Sequence, residues 1–246
     1  MTYCLGILLP EGLVLASDSR SNAGVDHLTT VRKLNVFENG GERMICLLSA
    51  GNLATTQSIV AMLKEEIGTG TVGRDLFAAR SMFRVAQTVG DMMREIITRD
   101  GPFVQPYGDP NCSLVVGGQI NGDRHRLFEI YSAGNFVEAS SRTPFVQTGE
   151  LKYGKPILDR ALDEKTTLAE AAKLALLSFD ATIRSNLSVQ APIDMLLYRT
   201  GSFDGSNLRK FNRDDAYWHE LRRQYGDGLM DLVRSLPPLP GIDSPA

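Results

Sequence analysis

The sequence predicts an α+β protein built in layers, and three observations point to that class. Strand-like apolar runs open the chain within residues 2–9, 11–20 and 44–49; two helix-period stretches, 53–67 and 76–98, follow back to back; further strands and a second helix pair come after them. Elements in that order bury their apolar faces on one another as stacked sheets and helices. At 246 residues the chain is ample for one sizeable core, and no stretch reads as a linker.

Each element has its own signal. Thr2 to Leu9 and Glu11 to Arg20 hold apolar runs separated by a Gly-containing turn, which reads as a β-hairpin that returns Asp18 to the beginning of the chain. A polar, Gly-bearing loop spans 22–30, a strand covers Asn35 to Phe37, and Met44 to Ser49 reads as a strand covered on both faces. Ala50-Gly51-Asn52 closes that strand and opens a helix. Leu53 to Ile67 aligns Ile59, Val60, Leu63 and Ile67 on one helical face and stops at Gly68-Thr69-Gly70. Leu76 to Thr98 is apolar around much of its circumference, its methionines reading as core filler.

Residues 100–110, with three prolines, read as a turn-rich connection. Ser113–Gly118 restarts strand, Asn121-Gly122-Asp123 turns it, and the runs 126–131, 136–138 and 145–147 complete a meander expected to form a second sheet. A short helix over 153–162 admits Pro156 in its first turn, and Thr166-Thr167 cap a helix from Leu168 to Ile183. Ile193–Arg199 is a strand. The whole chain, 1–246, reads as one domain, with 202–246 as a C-terminal extension used in subunit contacts. There Asp214 or Asp215 caps a segment holding Trp218, broken at Gly226-Asp227-Gly228 and ended by Leu236-Pro237-Pro238.

The chemistry gathers at the start. Once Met1 is trimmed, Thr2 carries a hydroxyl nucleophile and an α-amine on one residue, and an unperturbed α-amine, with a pKa of about 8, can accept the hydroxyl proton near neutrality. Asp18 ends a buried strand and needs a cationic partner, for which Lys33 is the candidate. A Thr–Lys–Asp cluster follows, in which Lys33 depresses the proton affinity of the Thr2 amine and hydroxyl and Asp18 holds the ammonium. A structural ion pair at a strand end is the alternative. Gly51, at a strand-to-helix turn, lets backbone approach a reacting carbonyl, and its N–H can serve a developing oxyanion.

The start Thr2-Tyr3-Cys4, the string Ala16-Ser17-Asp18-Ser19-Arg20-Ser21-Asn22-Ala23-Gly24, Arg32-Lys33-Leu34 and Leu48-Ser49-Ala50-Gly51-Asn52 resemble a proteasome β-type subunit, and most of all its bacterial ancestral branch, over roughly residues 2 to 200. The resemblance implies a four-layer αββα sandwich of the N-terminal nucleophile hydrolase type, two antiparallel sheets flanked by helix pairs. It implies a threonine peptidase that needs no cofactor and no metal, with Thr2 as nucleophile, Asp18 and Lys33 as its charged partners, Gly51 as oxyanion donor and Ser188 as a supporting hydroxyl. By the same resemblance the 22–30 loop lines the substrate cleft, and Ser21, Val31 and Ser49 fall near the first specificity pocket, whose small polar rim argues against a strong demand for one side-chain class. The implied partners are peptide or unfolded protein and further copies of the chain in a ring or ring-like assembly; an unfoldase partner stays open. Two positions depart from the family. Glu150 stands where a serine follows glycine, and a carboxylate there would raise proton affinities nearby. Ser185 stands where an aspartate is expected, three residues before Ser188. An amidohydrolase acting on small amides and a catalytically silent scaffold are the alternative readings.

Composition bounds the partners. With 43% apolar and 22% charged residues and a formal net charge of −3, the chain carries no block of charge suited to nucleic acid phosphates. Cys4, Cys46 and Cys112 cannot all pair and form no CxxC, which suits a reducing compartment, with Cys4 and Cys46 expected as buried small hydrophobes. His27, His125 and His219 lack ligand spacing for zinc. No signal peptide and no apolar run of bilayer length is seen, so the expected location is cytoplasmic, away from membranes.

Overall fold

The computed structural model describes residues 2–22 and 28–239, with the side chains of Ser21, Asn22 and Leu28 left aside. The chain begins with β1 (Tyr3–Leu9), β2 (Gly12–Asp18), β3 (Arg20–Asn22), β4 (Leu28–Thr30), β5 (Leu34–Asn39) and β6 (Arg43–Gly51). Helices α1 (Leu53–Glu66) and α2 (Met82–Val104) follow, then β7 (Cys112–Ile120), β8 (Arg126–Ile130), β9 (Phe136–Glu138) and β10 (Phe145–Gly149). The remainder is α3 (Lys155–Ala161), α4 (Leu168–Ser185), β11 (Ile193–Arg199), β12 (Leu208–Phe211) and α5 (Ala216–Ser235).

Two antiparallel sheets result, in the orders β10-β1-β2-β11-β12 and β5-β6-β7-β8-β9, with β3 and β4 as a separate pair. Alternation along the strands stacks them. Leu13 and Leu15 of β2 meet Met44, Cys46 and Leu48 of β6 in the core between the sheets. Ile45 and Leu47, one residue out of phase on β6, turn to the other side and pack on Ile59 and Leu63 of α1 and Val89 and Met93 of α2. On the far side of the first sheet, α4 packs against β1 and β2, with Phe179 stacked on Tyr3 at 4.6 Å between ring centroids. Both sheets are thus covered on both faces, which is why their central strands read as unbroken apolar runs. This is the α+β, αββα architecture expected from the sequence.

Helix ends follow local chemistry. Asn52, Ser81, Thr167 and Asp215 each accept a backbone N–H at the start of α1, α2, α4 and α5, and Thr167 forms a capping box with Glu170. The Ser81 cap starts α2 six residues after the expected Leu76, and the helix runs on through Pro102 to Val104, into what reads as a turn-rich connection. The run 145–147 does not close the meander of the second sheet. As β10 it pairs with β1, Tyr3 opposite Gly149, and so belongs to the first sheet. Period-two alternation reports a strand's faces and is silent about its neighbour.

The chain divides into two units, 1–212 and 213–246. The first extends past the expected boundary at 202 because Leu208–Phe211 adds an edge strand to β11. In the second unit α5 runs unbroken through Gly226 and Gly228, Trp218 is buried, and the Arg222 guanidinium lies over its ring at 5.5 Å. Among the described residues no helix is long and apolar enough to cross a membrane, and no group of three or more His, Cys, Asp and Glu side chains is placed to hold a metal ion.

Candidate active site

Register brings the first candidates together. In the β1–β2 hairpin Cys4 lies opposite Ser17, so the end of β2 returns to the start of β1. Tyr3 N–H then donates to Asp18 Oδ1 at 3.0 Å. Lys33 arrives from the second sheet, where Leu34 of β5 pairs with Leu48 of β6 and the Ser49 N–H donates to the Lys33 carbonyl at 3.1 Å. One strand end from each sheet thus converges on Thr2.

The Lys33 ammonium has three hydrogens and three acceptors. It donates to Thr2 Oγ1 at 2.8 Å, to Asp18 Oδ1 at 2.9 Å and to the Arg20 carbonyl at 2.5 Å. Lys33 is 4% and Asp18 0% exposed, so the pair is almost wholly enclosed by protein and its geometry held by the fold. Burial pushes the Asp18 carboxyl above its ordinary range, while the Lys33 ammonium and the N–H groups of Tyr3 and Arg20 pull against that shift. Chemically, a cation fixed against the Thr2 hydroxyl favours the oxygen's anionic form.

Gly51 ends β6 opposite Cys112 with φ +105°. A Cβ there would lie 2.6 Å from the Asn111 carbonyl oxygen and 2.7 Å from Cys112 Cα, both backbone atoms with no freedom to retreat. Gly51→Ala is therefore expected to lower stability by about 2–4 kcal/mol, combining a strained φ with a steric clash, read as a lower midpoint in urea unfolding. Gly51, Thr2, Lys33, Val31 and Ser49 border one cavity of about 380 Å³. Ser21 sits in β3, paired with Thr29, its side chain outside the described residues. Met1, His27 and most of the loop expected to line the cleft, residues 23–27, lie outside them too.

Ser188 is not among the residues that line this cavity. Among the described residues its hydroxyl makes no hydrogen bond to Thr2, and the two are joined through intermediaries. Ser188 N–H donates to Asn186 Oδ1 at 2.9 Å, Asn186 Nδ2 to Glu150 Oε2 at 2.8 Å, and Glu150 N–H to the Thr2 carbonyl at 2.8 Å. Glu150 is buried, and its carboxylate also accepts the Lys152 N–H at 3.1 Å. It thus pins the turn after α4 to the strand end beside Thr2. Preceding it, Gly149 has φ +90°, and a Cβ there would lie 2.0 Å from the Thr2 carbonyl oxygen.

Sequence reading missed Asn186 and the cavity's helical wall. Leu53, Thr56, Gln57, Val60, Ala61 and Lys64 line it at three- and four-residue spacings, one face of α1. That periodicity was open to view, but only the apolar stripe Ile59, Val60, Leu63 draws attention in a search for core. The three thiols are buried, and burial pushes all of them up, Cys112 to about 12, which leaves them as hydrophobic filler. His125 is held by the Leu9 carbonyl at 2.7 Å and Thr200 Oγ1 at 2.9 Å, away from the site.

Comparison with known proteins shows the family. The family model described as proteasome subunit matches residues 2–196. The structure of Anbu, the ancestral β-subunit, from Yersinia bercovieri is 44% identical with a TM-score of 0.91, covering 98% of this chain and 100% of that one. The helical assembly of the Anbu complex from Pseudomonas aeruginosa is 45% identical with a TM-score of 0.92, covering 97% and 98%. A curated proteasome subunit beta from Nanoarchaeum equitans is 23% identical over 177 residues, 71% of this chain and 81% of that protein.

Proposed function

We propose, for a chain that belongs to the proteasome subunit family and within it to the Anbu branch, with the N-terminal nucleophile hydrolase fold, that it is a threonine peptidase acting through Thr2 once Met1 has been removed. The observation that carries this reading is the Lys33 ammonium bonded at once to Thr2 Oγ1 and to buried Asp18. A structural ion pair would need Asp18 alone.

In the proposed cycle Thr2 Oγ attacks the peptide carbonyl carbon while its proton passes to the Thr2 α-amine, directly or through a water. The carbonyl oxygen becomes an oxyanion, which the Gly51 N–H receives. The C–N bond breaks as the α-ammonium returns the proton to the departing amine, leaving an ester on Thr2. Water then attacks the ester, gives a proton to the α-amine, and the acid leaves as Oγ recovers a hydrogen. Lys33 keeps its three hydrogens throughout and favours Oγ as it gains negative charge. Asp18 and the Glu150–Asn186–Ser188 chain act on position alone. No organic cofactor or metal takes part in this proposed cycle.

The Pseudomonas relative is titled a helical assembly, and we extend self-association to this chain as a ring or ring-like homo-oligomer whose copies enclose the sites in the cytoplasm. The test is turnover of an unstructured protein and of fluorogenic peptides by the purified assembly, with products identified by mass. Peptide products with new free carboxyl ends are expected; release of ammonia from small amides without any peptide cleavage would turn the reading to an amidohydrolase.

A further inference from the structure

The charged side chains that line the cavities beside Thr2 are mostly cationic. The first cavity is lined by Arg32 and Lys64 beside the Asp18-bound Lys33, and no carboxylate lines it among the described residues. A second cavity, of about 430 Å³, adjoins the first at Arg32 and adds Arg209 and Lys210 from β12. Its lone carboxylate among the described residues, Asp194, is 8% exposed and already accepts the Ser19 hydroxyl at 3.2 Å. Arg32, Lys64, Arg209 and Lys210 are all exposed, and none makes an ion pair among the described residues. In a chain of net charge −3, this cleft is a local concentration of cations, offset in part by Asp194, which lies opposite Lys210 in the β11–β12 register.

Their placement suits an extended ligand. Lys64 closes the α1 face that starts at Leu53, eleven residues and about 16 Å along the helix axis. Arg209 and Lys210 lie on the edge strand of the other sheet, with Arg32 between the two cavities. Resting on the peptidase reading, we propose that the cleft selects acidic peptide segments, with Lys64 and Arg32 meeting carboxylates beside the scissile bond and Arg209 and Lys210 meeting those further along. The small side chains of Ser49 and Val31 make no strong shape demand, so charge sets the selectivity.

The test compares two peptides of equal length, with Glu in one and Gln in the other at the two residues on each side of the scissile bond. Binding is measured by calorimetry to the full-length Thr2→Ala protein, and cleavage with the parent. At low salt the Glu peptide should bind about tenfold more tightly, the combined effect of a few exposed ion pairs. The preference should fade toward 1 M salt, where the screening length falls to about 3 Å. In Lys64→Glu/Arg209→Glu, which alters exposed side chains alone, it should vanish or invert. Equal binding of the two peptides, or a preference untouched by that double change, overturns the inference. Acidic peptides bound with this selectivity yet never cleaved leave the inference standing and remove the peptidase; cleavage without charge preference does the reverse.

Discussion

Thr2→Ala is expected to fold and associate as the parent does while losing peptide turnover by a factor of about 10³ or more, the scale on which deleting a nucleophile acts. The side chain is partly exposed and receives one hydrogen bond, from Lys33. What ties the residue to the fold is its carbonyl, held by the Glu150 N–H at 2.8 Å, and alanine keeps that bond. Thermal unfolding should therefore change little. Thr2→Ser keeps hydroxyl and amine together and should retain turnover, which separates loss of the nucleophile from loss of packing. Undiminished hydrolysis by Thr2→Ala would contradict the mechanism outright.

Lys33→Ala carries the second large effect, and here stability and activity fall together. Removing the ammonium leaves the fully buried Asp18 carboxylate with only the N–H groups of Tyr3 and Arg20, at 3.0 and 3.3 Å, and breaking a buried pair from one side costs about 3–5 kcal/mol. The pH dependence fixes the cause. Burial holds the Asp18 carboxyl above its unfolded value already, and losing Lys33 removes the main influence that lowers it. A folded-state value raised above the unfolded one means that the protonated carboxyl favours the fold. The penalty therefore grows as pH rises from the unfolded carboxyl's value toward the folded one, and shrinks on acidification. Urea unfolding of parent and variant across that range should show the difference narrowing toward acid. A gap independent of pH would locate the damage in packing, and Asp18→Asn added to Lys33→Ala should recover part of the loss at neutral pH.

Much of this site is legible in the sequence, because hairpin geometry is local. Two apolar runs with a two-residue Pro10-Glu11 turn leave little choice about where Asp18 lands. The Thr2–Lys33 meeting rested on more than geometry, since it joins strand ends of different sheets, and the resemblance of the short N-terminal strings brought it within reach. What stayed hidden depended on partners distant in sequence. The run 145–149 alternates in a way that suits either sheet, and only pairing with β1 assigns it. Asn186 follows the last turn of α4 and reads as an ordinary polar cap until Glu150 is seen opposite its amide. In the same way nothing local marks Lys64, a basic residue in the last turn of α1, as part of a cavity wall, since that wall needs the opposing β5. Glycine misled once: Gly226 and Gly228 read as a break, but two such penalties of about 1 kcal/mol each do not interrupt a capped helix of 20 residues.

The claim on which all of this depends is that the working chain opens with Thr2, its amine free beside a hydroxyl held by Lys33. The direct measurement treats actively hydrolysing particles with a peptide electrophile bearing an epoxide beside a ketone, two centres that a hydroxyl and an amine on one residue can engage together, and then sequences the N-terminal fragment by mass spectrometry. The account predicts a fragment that lacks Met1 and carries the reagent doubly bonded to Thr2, in step with loss of turnover. Turnover by chains that keep Met1, or inactivation with the reagent attached elsewhere, would contradict it.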